Sequence, residues 1–187
     1  TLPEWEKKAE EAKAAGQPIP RKPQPPPGPD SPRRPGNLFN SMINPIVGFA
    51  IRGAIWYQGE ANAGKAWEYR TLLPTMIEDW RERWGQGPFP FGIVQLANFM
   101  KVQEGPENSA WAELREAQTV TALNDPNNGL AVIIDVGEAD DIHPKDKQTV
   151  GLRLGLWALA RVYGRDLVYS GPVYKSMTVE GDAIRIS

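Results

Sequence analysis

The sequence predicts an α/β protein whose parallel sheet is covered by helices on both faces, and three observations lead there. Short apolar runs with β-forming residues recur at Ile51–Tyr57, Phe89–Ala97 and Leu130–Val136. Segments of helical period, long enough to cross back over a sheet, alternate with these runs, as parallel pairing requires. The runs are nearly all apolar rather than alternating, which is the pattern of strands covered on both sides. At 187 residues the chain can form one domain with a full core.

Taken in order, Pro3–Ala15 (PEWEKKAEEAKAA) is rich in Ala, Glu and Lys and predicts a short, solvated helix. Nine of the 18 prolines then fall between Pro18 and Pro35. Proline has no backbone donor and pushes the preceding residue out of the helical region, so this stretch reads as an extended strap or linker. Its PQPPP segment, flanked by Arg21 and Arg33–Arg34, also has the form of an SH3-type ligand, with a plain strap the simpler reading. Asn37 is placed to cap a helix through LFNSMINPIVG, with Gly48 ending it.

Strand Ile51–Tyr57 follows, and then a helix over Gly64–Trp84. There Trp67, Leu72, Leu73, Met76, Ile77 and Trp80 recur at helical spacing and Pro74 predicts a kink. Phe89–Ala97 is the second strand, and Ala110–Leu123 a helix capped by Ser109. Leu130–Val136 (LAVIIDV) is the clearest strand. Asp146–Tyr163 is apolar nearly all round and predicts a buried helix. Val168–Ser187 reads as short β segments. The chain therefore divides into a helix and strap (1–36), an α/β core (37–167) and a β-rich start (168–187). Six of the seven tryptophans read as packing residues, while Trp56 is left open for stacking on a sugar.

Composition narrows the chemistry. With 21 basic and 23 acidic residues, a net charge of −2, nothing points to nucleic acid or an anionic membrane surface. The absence of cysteine excludes a disulfide scaffold, a thiolate metal site and a Cys nucleophile. A single histidine excludes a multi-histidine zinc site. No apolar run approaches the ~18–20 residues needed to span a bilayer. The opening TLPEWEKKAEE carries neither Met nor a signal peptide, so the chain is expected to be a piece of a longer one.

In an open α/β sheet, ligands bind beyond the carboxyl ends of the strands. The segments predicted there are Gln58–Asn62 (QGEAN), Asn98–Gly105 and Gly137–Pro144 (GEADDIHP). His143 is the sole imidazole, so any histidine general base must be this residue. Asp140 and Asp141, three and two residues before it, are each close enough to accept from Nδ1–H and stabilise the imidazolium. A solvated acidic loop at a helix start is the plainer reading. A metal site of Glu138, Asp140, Asp141 and His143 matches no calcium loop.

In QGEAN, Gly59 lets the backbone approach a ligand closely, while Gln58 and Asn62 supply amide donors suited to an oxyanion hole. Glu60 reads as a lock on the loop, and an ordinary polar turn remains the alternative. The six serines (Ser31, Ser41, Ser109, Ser170, Ser176, Ser187) include none in a Gly-x-Ser-x-Gly elbow, and none is assigned a catalytic role.

Three long segments, WYQGEANAG (56–64), EDWRERWGQGPFPFGIVQLANF (78–99) and DDIHPKDKQTVGLRL (140–154), together resemble the sialate O-acetylesterase family of SGNH (GDSL-type) hydrolases. The strap preceding WYQGE is also similar to that of bacterial members. The resemblance implies a flavodoxin-like α/β/α sandwich with a parallel sheet, here incomplete. It further implies hydrolysis of O-acetyl esters on sialic acids or related glycans by a Ser nucleophile, a His base and a nearby carboxylate, without metal or organic cofactor. By that resemblance His143 is the base. The superfamily pattern Asp-x-x-His selects Asp140 as its partner and the bacterial Asp-Ile-His-Pro selects Asp141, which is favoured. Gln58, Gly59, Glu60 and Asn62 correspond to the segment that lines the oxyanion side of the pocket.

The family's Gly-Gln-Ser-Asn block is missing, so the resemblance makes this an internal fragment that lacks the nucleophile and is inactive alone. Members are usually secreted, periplasmic or lysosomal. The alternative is a non-catalytic glycan-binding or interaction module of the same fold, and the oligomeric state is left open.

Overall fold

The computed structural model describes residues 2–23, 27–105 and 108–187. They form two compact units that divide after Gly48. In the first, helix α1 (Leu2–Ala14) starts with Glu4 and ends with Lys13, charges that suit the helix dipole at each end. The Trp5 indole N–H donates to the Pro20 carbonyl at 2.7 Å and Lys22 stands over its ring, so the strap folds back on the helix. Positions 24–26 of the PQPPP segment lie outside the described residues.

Asn37 does not cap a regular helix. Its side-chain amide donates to the carbonyls of Pro29 and Ser31, closing the strap. The helical stretch after it is a π turn (Phe39–Ile43) and then a 3-10 turn (Asn44–Ile46). Pro45 lacks the donor that an α-helix would need there.

The second unit carries the sheet. Strands β1 (Ala54–Trp56), β2 (Phe91–Val94) and β3 (Asn128–Ala131) are parallel in the order β1-β2-β3, pairing Ile55 with Gly92 and Gly92 with Gly129. Helix α2 (Ala66–Trp84) links the first two strands and α3 (Ala110–Leu123) the second two, while α4 (Lys147–Arg161) follows β3. The α/β class and parallel sheet are therefore as expected. Beyond this layer, β4 (Met177–Glu180) and β5 (Ala183–Ile186) form an antiparallel hairpin.

β2 is buried at every position because it lies between its neighbours with helices on both faces. Phe91 and Ile93 lose all solvent contact there, as does Leu96 just beyond the strand. On one face the Trp157 indole of α4 lies across Gly92 and Gly129, where a Cβ on Gly129 would overlap its ring. Arg81 of α2 ties the strand starts together. It donates to the Phe89 carbonyl, to Asn128 Oδ1 at 2.9 Å and to the Asp125 carboxylate. Burial works to raise the Asp125 carboxyl, but the hydrogen bonds from Arg81 and Asn127 outweigh it and leave it below its ordinary range.

Several element readings change. The LAVIIDV strand lies two residues earlier, at Asn128–Ala131, and β1 is shorter than its apolar run. Beyond Ala131 the chain turns, and Val136 N–H bonds to Ile133 O. Ile133 serves instead as a core residue with Val94, Ala97 and Val150. Helix α4 is not buried all round. Val150 and Trp157 are covered, whereas Leu152 and Leu159 are exposed. Likewise, Trp67 is 80% exposed, because α2 buries the face of Ala66, Tyr69, Leu73 and Ile77 instead. Trp56 is a packing residue, edge-on to Trp80 at 5.9 Å.

Candidate active site

Because the three strands run the same way, the segments after β1, β2 and β3 leave the sheet at one edge. Tyr57, immediately before the first segment, and Val136, immediately before the third, both pack on the cluster of Val94, Ala97, Ile133 and Val150. The QGEAN and GEADDIHP segments thus share one apolar footing.

The QGEAN turn is held from within and from below. Gln58 Nε2 donates to Asn62 Oδ1 at 2.9 Å, and Asn62 N–H donates to Gly59 O at 2.8 Å. The Tyr69 hydroxyl of α2 donates to Gln58 Oε1 at 2.9 Å and accepts from the Trp56 indole at 3.2 Å. Gly59 has φ +150°, and a Cβ there would come 2.8 Å from Leu114 and 3.1 Å from Gln118 Nε2. Glycine is required on both counts. A short 3-10 turn begins at Glu60. The Glu60 carboxylate makes no hydrogen bond among the described residues. Burial first, and the Glu60 charge second, raise the Tyr57 hydroxyl above its usual value.

The fully buried Gln118 of α3 makes the tie from below. Its Nε2 donates to Gln58 O at 3.0 Å and Val94 O at 3.3 Å, while Oε1 accepts from Leu96 N–H at 2.9 Å. One carboxamide thereby joins the first segment to the end of β2, and only one orientation of the amide satisfies all three partners. Gln118 and Tyr69 are absent from the sequence reading. Gln118 carried a signal, since it falls on the same helical face as Leu114, Ala117 and Thr121, where a polar side chain needs buried partners.

In the third segment, Asp141 Oδ1 accepts the His143 backbone N–H at 2.8 Å and stands 3.6 Å from the ring's Nδ1. That is slightly long for a hydrogen bond, so the ring stands beside the carboxylate without a formed bond to it. Asp140 has no such approach to the ring among the described residues, and both aspartates act by charge on Lys145, Asp141 more than Asp140. Lys145 Nζ bonds Glu138 Oε2 at 2.9 Å across the loop, and this bond raises the ammonium above its ordinary range. Pro144 is buried beneath. The His143 side chain is 87% exposed, so its second nitrogen is open to a reacting group. Among the described residues, no three His, Asp or Glu side chains converge as a metal would need.

A cleft of about 450 Å³ opens beside the turn, lined by Ala63, Met100, Gln103, Asn108 and Trp111. Another of about 540 Å³ runs along the outer side of β3 past Leu130, Ile134 and Arg153, and touches none of the candidate residues. The side-chain chemistry, not cavity size, therefore locates the site.

Known proteins share this arrangement of sequence. The chain is 38% identical over 164 residues to the sialate O-acetylesterase of Mus musculus and 36% identical over 152 residues to that of Homo sapiens. These matches cover 78% and 73% of this chain but only 30% and 29% of those proteins. A crystal structure of a carbohydrate acetylesterase from Xanthomonas citri superposes with a TM-score of 0.75 at 46% identity, covering 82% of this chain and 36% of that one. Residues 29–158 match the family described as carbohydrate esterase, sialic acid-specific acetylesterase, and the chain belongs to that family.

Proposed function

We propose that this chain supplies the base half of a serine esterase that hydrolyses O-acetyl esters on sialic acids or related acetylated glycans. The observation that carries the reading is the His143 ring beside Asp141, at the sheet edge that also bears the Gln58–Asn62 turn, in a member of this esterase family. In this reading the nucleophilic serine comes from sequence outside these 187 residues. His143 Nε2 takes its proton as Oγ attacks the acetyl carbonyl, and then gives that proton to the departing sugar oxygen. Water repeats the cycle on the acetyl-enzyme and releases acetate. Asp141 orients the imidazole, and Gln58 or Asn62 donates to the oxyanion.

The test is made in a chain extended to the length of the relatives. There His143→Ala should lower kcat on an acetylated sialic acid by about 10⁴-fold, with the fold intact by circular dichroism. An unchanged rate would refute the base assignment. The 187-residue chain itself should take no label from a fluorophosphonate probe. Among its serines, the Ser41 hydroxyl donates to Asn37 O, Ser109 caps α3 and Ser170 donates to Gly171 O. The second reading is a glycan-binding module of the same fold without catalysis. Binding of acetylated sialic acid by the extended chain, without acetate release, would select it.

A further inference from the structure

We propose that Asn98 is a positioning residue for His143, its side-chain oxygen fixing the loop that carries the imidazole against the end of the β2 segment. The catalytic sense of this proposal rests on the reading of His143 as the base; the mechanical sense does not.

Three independent features converge on it. Asn98 Oδ1 accepts the Gly137 N–H at 2.6 Å, bridging 39 positions of sequence at the point where the third segment enters its loop. Two residues further along each strand of chain, Met100 N–H donates to Ala139 O at 3.0 Å. These two bonds set the register of one segment on the other, as a short ladder would. Next, Gly137 has no room for a side chain, because a Cβ there would overlap the Asn98 carbonyl and crowd its Oδ1. The approach is backbone against backbone, closer than any other residue would permit. Finally, Met100 holds φ +69°, the one non-glycine residue with positive φ among the described residues. An unbranched L-residue is strained there, and such strain persists only where the surroundings impose it. Here that conformation accompanies the bond from its N–H to Ala139.

The far half of the loop is tied separately. Lys145 bridges to Glu138, and Asp141 Oδ1 caps the His143 N–H. With its entry pinned by Asn98 and its exit by Lys145 and the buried Pro144, the loop has little freedom left at 140–143. A base displaced by about 1 Å loses much of its rate, so this pin bears on chemistry that Asn98 never touches. Asn98 is exposed, and its replacement opens no cavity in the core. Only its acceptor atom is engaged among the described residues, so an aspartate should serve in its place and an alanine should not.

The experiment compares the 187-residue chain with N98A and N98D by ¹⁵N NMR, where the single histidine makes the ring signals unambiguous. In N98A the Gly137, Met100 and His143 amides should exchange at least tenfold faster than in the parent, with Val94 and Leu96 unchanged. The His143 ring signals should move as the loop that carries the imidazole loses its fixed position. N98D should restore both. The proposal is overturned if N98A leaves these amides and the ring signals in place, or if N98D fails as N98A does. None of these signals depends on ester hydrolysis, so they separate this proposal from the esterase reading. In the extended chain, a lower kcat at unchanged KM for N98A, recovered in N98D, supports the catalytic sense. An unchanged kcat overturns it.

Discussion

At His143 the distinction between two adjacent carboxylates is a matter of ångströms. Asp141 bonds the His143 backbone and lies 3.6 Å from Nδ1, while Asp140 makes no ion pair with the ring among the described residues. On the proposed esterase reading, Asp141→Asn in the extended chain should therefore lower kcat by about 10²–10⁴-fold, and Asp140→Asn by no more than about threefold. Steady-state rates on one acetyl ester decide it: equal losses would overturn the distinction, and a larger loss at Asp140 would reverse the assignment. Gln118 makes a different demand, because two of its three bonds are buried and the third partly so. Gln118→Leu leaves the Leu96 N–H without its partner and the Gln58 carbonyl with the Tyr69 hydroxyl alone, and should cost about 1–3 kcal/mol of stability, read from urea unfolding. His143 was legible from the sequence because it is the sole imidazole in the chain. Gln118 was not singled out, because its role depends on two carbonyls and an amide from elements distant in sequence.

Elements follow their local chemistry where that chemistry is self-contained. Helix α3 begins and ends where Ser109 and its apolar period place it, with the Ser109 hydroxyl accepting from Ala112 N–H. Ser109→Ala should cost about 1 kcal/mol. The strands are less faithful to their apolar runs. β3 ends at Ala131 although four more β-forming or apolar residues follow, since pairing stops where β2 stops, at Val94. Packing of α4 on the sheet depends on two glycines that local pattern does not explain. Gly92 and Gly129 stand side by side in the register and make the flat surface on which Trp157 lies. Gly129→Ala should destabilise the fold by about 1–3 kcal/mol through overpacking, and Gly92→Ala, where the indole is less crowded, by less. Thermal unfolding of the two variants gives the order, and the reverse order would mean that α4 does not rest on β3.

Across the whole molecule, stability in acid should be governed in part by one exposed pair. Arg153 of α4 grips the Asp135 carboxylate with both of its terminal nitrogens, and the hydrogen bonds from Arg153 lower Asp135 to about 2 from an ordinary 3.8. A carboxylate depressed in the folded state adds stability that is fully present above its unfolded value and is lost as pH falls through the folded one. The contribution should thus disappear between about pH 4 and pH 2, and Asp135→Asn should flatten the pH dependence of unfolding in that window. By itself, the sequence determined the α/β class, the order of helices and strands and the residue types available for chemistry. These follow from period, proline content and the scarcity of histidine, which are properties of the chain. Only tertiary structure decided which apolar residues became strand, which face of α4 was covered and which aspartate met the imidazole. Each depends on register between segments far apart in sequence, and a shift of one residue or a few ångströms changes the outcome.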